Sequence, residues 1–309
     1  MLIEPAKIAR WIAPIETRRI VLTMAFSQTI RFEGIGDALL RLDPKCDSLA
    51  PERNFNHVWN LGVEVEPTEA QIDQIAARYR LARIPHWFFI LSPGIHVAKI
   101  AWWLTVRELC VCNEWDVLFA GIEDALEASL VLPIETDYVI RRIRPAEIAS
   151  LKNRAFPMDS WPPDRWGRLL DLIRRPEFDL FLAFDRNDGD TPVGASLLYV
   201  DNALGWLGMA ATLPAYRNRG IQNALIAARV RRAAERKCRG VYAETDSAQS
   251  SGSLRNLERR GFQRAYVRPV YNDRATCSFR HGYQERNGII SHVAIQRNHR
   301  QNLASSHLR

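Results

Sequence analysis

The chain has 309 residues, about twice the length of a typical single domain, so its length predicts two domains. Hydrophobic residues make up 47% and charged residues 25% of the chain, a globular composition that excludes a wholly disordered, collagen-like or coiled-coil protein. The net charge of +7 favours anionic partners, but it does not distinguish nucleic acid from a phosphate-bearing cofactor or an acidic substrate.

The cysteines indicate neither a metal site nor a disulfide framework. There are five of them, and no pair has the spacing of a zinc knuckle. We therefore expect reduced thiols, no bound metal and a cytoplasmic location. The apolar runs are too short to span a bilayer and no segment resembles a secretory signal, so we also expect no membrane partner.

In the first half of the chain, the pattern of apolar residues is unclear at the start and becomes clear from about residue 55. Residues 1–53 are predicted to be irregular. From 55 to 120 the pattern predicts strand, helix, strand, helix and strand, which is typical of an α/β layer. The strands are predicted at 55–63, 87–91 and 115–120. The first helix is predicted to start within 66–69, and the second is predicted at 95–109. A connector is predicted at 121–137.

The second half has a longer series of predicted elements. A strand at 138–142 precedes helical segments at 145–155 and 164–173, and a hairpin joins strands at 178–185 and 192–200. A strand at 204–212 leads into a helix at 222–237, whose arginines, including Arg229, are expected to lie away from its apolar stripe. A strand at 240–245, a helix at 253–260 closed by Gly261, and a strand at 262–271 complete the series.

The last segment, 273–309, carries six arginines against two acidic residues and has no sustained period. It is predicted to be a disordered basic tail. Such a tail can contact nucleic acid electrostatically, but it lacks the interleaved aromatic residues of a specific module. We therefore expect no specific nucleic-acid partner.

The clearest indication of a site is the segment 210–222, which reads Ala-Ala-Thr-Leu-Pro-Ala-Tyr-Arg-Asn-Arg-Gly-Ile-Gln. A loop of this kind aims backbone N–H groups at one point, and the following helix adds the positive end of its dipole. Gly220 allows close approach of the backbone, and Arg217 and Arg219 can bind phosphate oxygens. The segment predicts a pyrophosphate site; the alternative is an ordinary turn with surface arginines.

The run from Arg217 to Gln222 resembles the Arg/Gln-x-x-Gly-x-Gly/Ala signature of the GCN5-related N-acetyltransferase (GNAT) superfamily, and the resemblance extends over 138–271. It implies a GNAT fold, with a central mixed, splayed β-sheet flanked by helices. It also implies transfer of an acetyl group from acetyl-CoA to a primary amine of a small molecule or peptide. In that family the loop binds the pyrophosphate of coenzyme A, and the strand before it contacts the pantetheine arm. The implied cofactor-binding residues are Ala210, Ala211, Thr212, Arg217, Asn218, Arg219, Gly220, Ile221, Gln222 and Asn256.

Two positions depart from the family pattern. Gln222 stands where Gly or Ala is usual and adds bulk beside the phosphates. Leu257 stands where many members have a tyrosine that protonates the departing thiolate, and leucine has no proton to donate. Either solvent or a nearby group such as Ser250, Ser253 or Asn256 must take that role. The alternative is a non-catalytic protein of the same fold that binds or senses acyl-CoA.

Acyl transfer to an amine also needs a base, because an ammonium group has no lone pair for attack. Glu244 and Asp246 lie at the end of the strand after the signature helix, and strand alternation places both on one face. The candidate catalytic residues are therefore Glu244, Asp246 and Ser250. The alternative for the two acids is a solvated or helix-capping pair.

The first half has the element order of the family's C-terminal part, and so resembles a second, smaller and degenerate GNAT-like unit. Where a phosphate loop should lie it carries Glu64, Glu66, Pro67 and Glu69, whose charges would repel a pyrophosphate. This half is therefore predicted to bind no coenzyme A. The predicted organisation is an N-terminal unit at 1–132, an acetyltransferase domain at 137–272 and the tail at 273–309.

Overall fold

The computed structural model describes residues 4–25, 29–46, 56–131, 137–147, 171–187, 191–247 and 251–273. Most of the two helical segments predicted at 145–155 and 164–173 lies outside these residues, as do Ser250 and the tail beyond Asp273. The helices in the described ranges are α1 (Pro5–Met24), α2 (Glu69–Leu81), α3 (Val97–Val106), α4 (Ile122–Val131), α5 (Ile221–Glu235) and α6 (Ser251–Glu258).

The strands of the described chain join into one 11-stranded sheet with the order β1-β2-β3-β4-β11-β5-β10-β9-β8-β7-β6. Their bounds are β1 (Arg31–Ile35), β2 (Ala38–Leu42), β3 (His57–Trp59), β4 (Phe88–Ile90), β5 (Leu109–Gly121), β6 (Tyr138–Ile143), β7 (Phe178–Asp185), β8 (Pro192–Asp201), β9 (Leu204–Thr212), β10 (Gly240–Asp246) and β11 (Gln263–Asp273).

The two halves of the chain exchange their last strands. Strands β5 and β11 pair antiparallel at the centre of the sheet. Strand β5, from the first half, also pairs with β10, whereas β11, from the second half, also pairs with β4. The halves are therefore consecutive along the chain but continuous in the sheet. The predicted boundaries at 132 and 137 remain predictions about the sequence, since the sheet does not divide there.

Both halves repeat one order of elements. In the first half β3 and β4 pair in parallel across α2, and α3 then leads to the exchanged strand β5. In the second half β9 and β10 pair in parallel across α5, and α6 then leads to β11. A parallel pair needs such a crossover helix. The loop between β9 and α5 thus has a counterpart between β3 and α2.

Helices cover both faces of the sheet. On one face Ile8, Ile12 and Ile15 of α1 are buried against the C-terminal strands. On the other face Leu225 and Val230 of α5 are buried in a second core. Each fully buried aliphatic side chain of this size contributes about 1.5–3 kcal/mol of transfer free energy. The predicted mixed α/β sheet flanked by helices is confirmed.

Two predicted segments are wrong. Residues 1–53 are not irregular throughout, because α1 occupies Pro5–Met24 and β1 and β2 form a hairpin. Helix α1 contains Pro14 and buries Glu16 and Arg19 on its packed face, so the apolar period that reveals a helix is interrupted. The predicted connector at 121–137 is also helical over most of its described part, which holds α4.

Three features of the described residues concern membrane spans, metal binding and disulfides. None of the helices there combines the length and apolar character needed to cross a membrane. No group of three or more His, Cys, Asp or Glu side chains in these ranges could hold a metal ion. Within the described ranges, Cys112 and Cys238 form no disulfide.

Candidate functional site

Strands β9 and β10 form a fork. Their parallel ladder joins Gly240–Tyr242 to Leu204–Trp206, and in the described part of both strands it ends at the Trp206–Tyr242 pair. Strand β9 continues to Thr212 and β10 to Asp246 without pairing with one another. From Gly208 to Thr212 β9 is partly or fully exposed, although it lies near the middle of a large sheet. The fork thus leaves backbone groups of β9 open to a ligand.

A β-bulge shapes the open part of β9. Leu197 and Ala195 of β8 pair with Gly208 and Ala211, so two residues of β9 oppose one of β8. Met209, inside the bulge, has φ 51°, a left-handed conformation that is uncommon outside glycine. Bulges of this kind redirect the groups of a strand and are frequent beside active sites.

The side chain of Arg229, on α5, hydrogen-bonds to the backbone beside this bulge. Its Nη1 donates to the carbonyl oxygens of Leu197 and Gly208, at 3.3 Å each, and its Nε donates to Leu225 O at 3.1 Å. The expectation that Arg229 lies away from the apolar stripe is wrong, because it is only 2% exposed. Burial lowers the pKa of this guanidinium.

The loop after β9 has the features of an anion site. A short 3₁₀ turn at Pro214–Tyr216 leads to four exposed residues, Arg217–Gly220, and then to α5. Gly220 has φ 79° at the helix N-cap and no side chain caps the helix. The first-turn N–H groups of α5 therefore face the loop without a side-chain acceptor, in the arrangement that binds phosphate groups.

The two loop arginines are held loosely. Arg217 Nε donates to Thr212 O at 3.4 Å, and Arg219 Nη1 lies 3.5 Å from the hydroxyl of Tyr138. The Arg219 guanidinium also lies 5.5 Å from the ring centre of Tyr216. These contacts are weak enough for both guanidiniums to turn towards an anion at the loop.

The unusual Gln222 has partners on the neighbouring helix. Its Nε2 donates to Ser253 Oγ at 3.3 Å, and its Oε1 accepts from Asn256 Nδ2 at 3.4 Å. Asn223 Nδ2 in turn donates to Asn256 Oδ1 at 3.1 Å. The structure thus brings Gln222, Ser253 and Asn256 together, next to the N-terminus of α5. Leu257 is 4% exposed and lies in the core under α5, so it takes no part in this polar group.

Glu244 lies at the base of the fork, two residues beyond the last β9–β10 pair. Its Oε2 accepts from Arg19 Nη2 at 2.9 Å and from Trp206 Nε1 at 3.2 Å, and its Oε1 accepts from Arg268 Nη1 at 2.7 Å. The guanidinium of Arg19 also stacks on the Trp206 ring at 3.9 Å. Three donors therefore orient this carboxylate, which keeps 14% of its side chain exposed.

The groups around Glu244 shift its pKa in opposite directions. Burial raises the pKa of Glu244, and the carboxylate of Glu16 raises it further, whereas Arg19 and Arg268 lower it. The net direction is upward, which makes Glu244 a stronger proton acceptor than an exposed glutamate. For Glu16 burial also acts upward, but Arg268 and Arg19 outweigh it and leave the pKa lowered.

Asp246 follows Glu244 on the same face, as strand alternation predicts, while Thr245 between them is buried on the other face. The Asp246 Oδ2 accepts from Asn113 Nδ2 of the exchanged strand β5 at 3.2 Å. Ser250, the third candidate catalytic residue, lies outside the described residues.

The matching loop in the first half is filled by a side chain of the protein itself. Asp37, in the β1–β2 turn, accepts from the backbone N–H groups of Gly62 at 2.8 Å, Glu64 at 2.8 Å and Val65 at 3.1 Å. At the start of α2, Gln71 Oε1 accepts from the N–H of Thr68 at 2.8 Å. The anion-binding groups of this loop are therefore occupied, unlike those before α5.

Sequence reasoning missed several of these residues. Glu16 and Arg19 belong to a segment predicted to be irregular, although Ile8, Ile12, Ile15 and Arg19 recur at helical spacing. Arg268 and Asp37 reach partners distant along the chain, for which a single sequence carries no local signal. The period-two pattern did place Glu244 and Asp246 correctly on one face.

Comparison with protein families gives one match. Residues 146–262 match the family model described as "Acetyltransferase (GNAT) family". The match spans β7 to β10, α5 and α6, and therefore includes the fork and the loop. No curated protein matches the chain.

Solved structures resemble the chain over both halves. A GCN5-related N-acetyltransferase from Kribbella flavida has 13% identity and a TM-score of 0.55, covering 86% of this chain and 96% of that one. One from Sphaerobacter thermophilus has 15% identity and a TM-score of 0.51, covering 85% and 93%. A tandem GNAT protein from the clavulanic acid biosynthesis pathway has 11% identity and a TM-score of 0.53, covering 86% and 93%. At such identities these likenesses show the fold alone, and they confirm the predicted fold class.

Proposed function

We propose that this protein is an N-acetyltransferase whose donor is acetyl-CoA, because residues 146–262 match the model of the GNAT acetyltransferase family. The acceptor is a primary amine of a small molecule or peptide. One observation carries the proposal: an open strand fork ends in an uncapped helix N-terminus flanked by two loosely held arginines. The thiols of Cys112 and Cys238, which form no disulfide, agree with a cytoplasmic enzyme.

The residues of the loop fit a diphosphate. Backbone N–H groups from Asn218 to Gln222 supply neutral donors, and the side chains of Arg217 and Arg219 supply charged ones. A Cβ at Gly220 would be strained by the left-handed φ of 79°, so glycine keeps the backbone approachable. Gln222 is turned towards Ser253 and Asn256, which explains how the loop accommodates a larger side chain at this position.

The fork fits the extended arm of the same donor. Met209, Ala210, Ala211 and Thr212 lie on β9 beyond the last β9–β10 pair, where backbone groups can pair with a pantetheine chain as a neighbouring strand would. The bulge held by Arg229 fixes the direction of these groups. The thioester of the bound donor supplies the electrophilic carbonyl.

Glu244 is the proposed proton acceptor for the attacking amine. It lies at the base of the fork, is partly exposed, and has a pKa raised by burial and by Glu16. Asp246 on the same face is the second candidate. Leu257 is buried in the core, and Ser253 is bonded to Gln222, so we propose that solvent protonates the departing thiolate.

The first half is proposed to bind no second donor. Asp37 occupies the N–H groups of its loop, and Glu64, Glu66 and Glu69 around the loop are exposed acids. A bound diphosphate would have to displace one carboxylate and approach three more. The proposed stoichiometry is one acyl-CoA per chain.

The second candidate function is acyl-CoA binding without turnover. The observation that favours it is the buried Leu257, which stands where the GNAT pattern that this sequence resembles often has a tyrosine. A sensor would bind the donor tightly and release no thiol in response to amines.

Thiol release from acetyl-CoA with a panel of primary amines separates the two functions. We expect release that depends on one class of amine. Glu244→Gln removes the proton acceptor, so turnover should fall by about 10²-fold or more while donor affinity stays unchanged. Glu258→Gln, at an exposed position of α6, is the matched control. A fully active Glu244→Gln would dismiss Glu244 as the base.

A further inference from the structure

Helix α1 places two charged side chains beside the base of the fork. Glu16 is 0% and Arg19 4% exposed, although they lie on a helix from the first half of the chain. Arg268 Nη1 and Nη2 donate to the two carboxylate oxygens of Glu16 at 2.7 and 3.0 Å. The same Nη1 donates to Glu244, and Arg19 bridges Glu16 and Glu244. The four side chains, of which only Glu244 is partly exposed, form one network, the fork cluster.

A contribution to stability is a poor explanation for the burial of these four charged side chains. Burying an ion costs several kcal/mol, and well-packed apolar residues are often as stable as a buried ion pair or more so. Glu16 has the lowest exposed fraction of the four side chains, so its charge loses the most hydration on folding. Its one direct effect on the site is electrostatic, because its negative charge lies beside the carboxylate of Glu244.

We infer that helix α1 is part of the transferase site, with Glu16 and Arg19 acting as positioning residues for Glu244. Arg19 holds the carboxylate against Trp206, and Glu16 offsets the two guanidiniums that would otherwise make Glu244 a poor proton acceptor. The inference rests on the proposed function, in which Glu244 accepts the proton.

The charged and titratable groups around Glu244 come from three elements. Helix α1 supplies Glu16 and Arg19, and β11 supplies Arg268 and Tyr266. Strand β10 itself supplies Asp246, on the same face, and Tyr242, whose buried hydroxyl has no hydrogen-bond partner in the described part of the chain. Strand β9 adds the neutral Trp206. The two tyrosines stay neutral, because burial raises the pKa of each above its ordinary value.

Two substitutions should shift the pH profile in opposite directions. Glu16→Gln removes a negative neighbour, lowers the pKa of Glu244 and moves the acidic limb of kcat/KM to lower pH. Arg19→Gln removes a positive neighbour and moves the same limb to higher pH. We expect the acidic limb to move by about one pH unit in each case, as a neighbouring charge typically shifts a pKa. Arg19→Lys keeps the charge and should lower kcat without moving the limb.

Arg264→Met is the control. Arg264 pairs with Asp116, which alternates with Val117 and so lies on the sheet face opposite Glu244. The acidic limb of kcat/KM in the Arg264→Met variant should match that of the unchanged protein. Melting curves and acetyl-CoA affinity, both measured on the full chain, show that each variant is folded and loaded.

The result supports the inference if the two limbs move apart, and overturns it if they stay in place or move together. If Arg19→Gln does not fold, the isosteric Glu16→Gln decides alone, and an unmoved limb overturns the inference. Failure of the proposed function looks different: the unchanged protein then shows no amine-dependent thiol release, or Glu244→Gln is fully active.

Discussion

At the scale of single residues, Arg229 is a buried charge whose hydrogen bonds go to backbone carbonyl groups. Its guanidinium contacts carbonyl oxygens and, in the described ranges, no carboxylate. Two of these carbonyls flank the bulge of β9, where the donor arm is proposed to bind. The side chain therefore connects the packing of α5 to the geometry of the fork.

We predict that Arg229→Met weakens acetyl-CoA binding by about 5- to 30-fold, because two hydrogen bonds to the bulge are lost. The free energy of unfolding should change little, since removal of an unpaired buried charge offsets the lost bonds. Calorimetry and urea unfolding measure the two quantities. Arg231→Met, at an exposed position two residues away, should bind normally. Unchanged affinity in Arg229→Met would contradict the role given to this residue.

Residue patterns along the sequence predicted some of these side chains and not others. Alternation in β10 was enough to place Glu244 and Asp246 on one face. Arg229 lies in a helix with several other arginines, and composition alone cannot tell which of them is buried. Burial is decided by the carbonyls of β8 and β9, which only the folded sheet brings under the helix.

At the scale of elements, the two strand–loop–helix units differ in what occupies the loop. The loop before α5 is exposed and uncapped, whereas the loop before α2 binds Asp37 through three N–H groups. The glutamates of the loop before α2 predict that it binds no phosphate, and this remains a prediction. Asp37 itself was not predictable, because it lies 25 to 28 residues before its partners.

We predict that Asp37→Ala lowers the free energy of unfolding by about 1–3 kcal/mol, since three backbone donors lose their acceptor. Thermal and urea unfolding measure this loss. Asp37→Asn retains one carbonyl acceptor and should lose less. Full stability of Asp37→Ala would show that water replaces the carboxylate without cost and would remove its role as the filler of this loop.

At the scale of the whole molecule, the exchanged strands make the two halves one structure. Glu16 and Arg268, which bind each other, are 252 residues apart along the chain, and Asn113 and Asp246 are 133 apart. Hydrophobic period reveals that a segment is a strand, but not which strand it pairs with. The order of elements was therefore largely predictable, while the exchange and the fork cluster that depends on it were not.

The central claim is that a single loop, from Arg217 to Gln222, binds one acyl-CoA per chain. Titration calorimetry with acetyl-CoA tests it most directly. We predict one molecule per chain, and an affinity at least about tenfold weaker in the Arg217→Ala/Arg219→Ala double variant, where charge-assisted bonds are lost. The double variant Arg80→Ala/Arg83→Ala, at exposed positions in the last turn of α2 and just after it, should bind normally. Two molecules per chain, or full affinity without Arg217 and Arg219, would contradict the account.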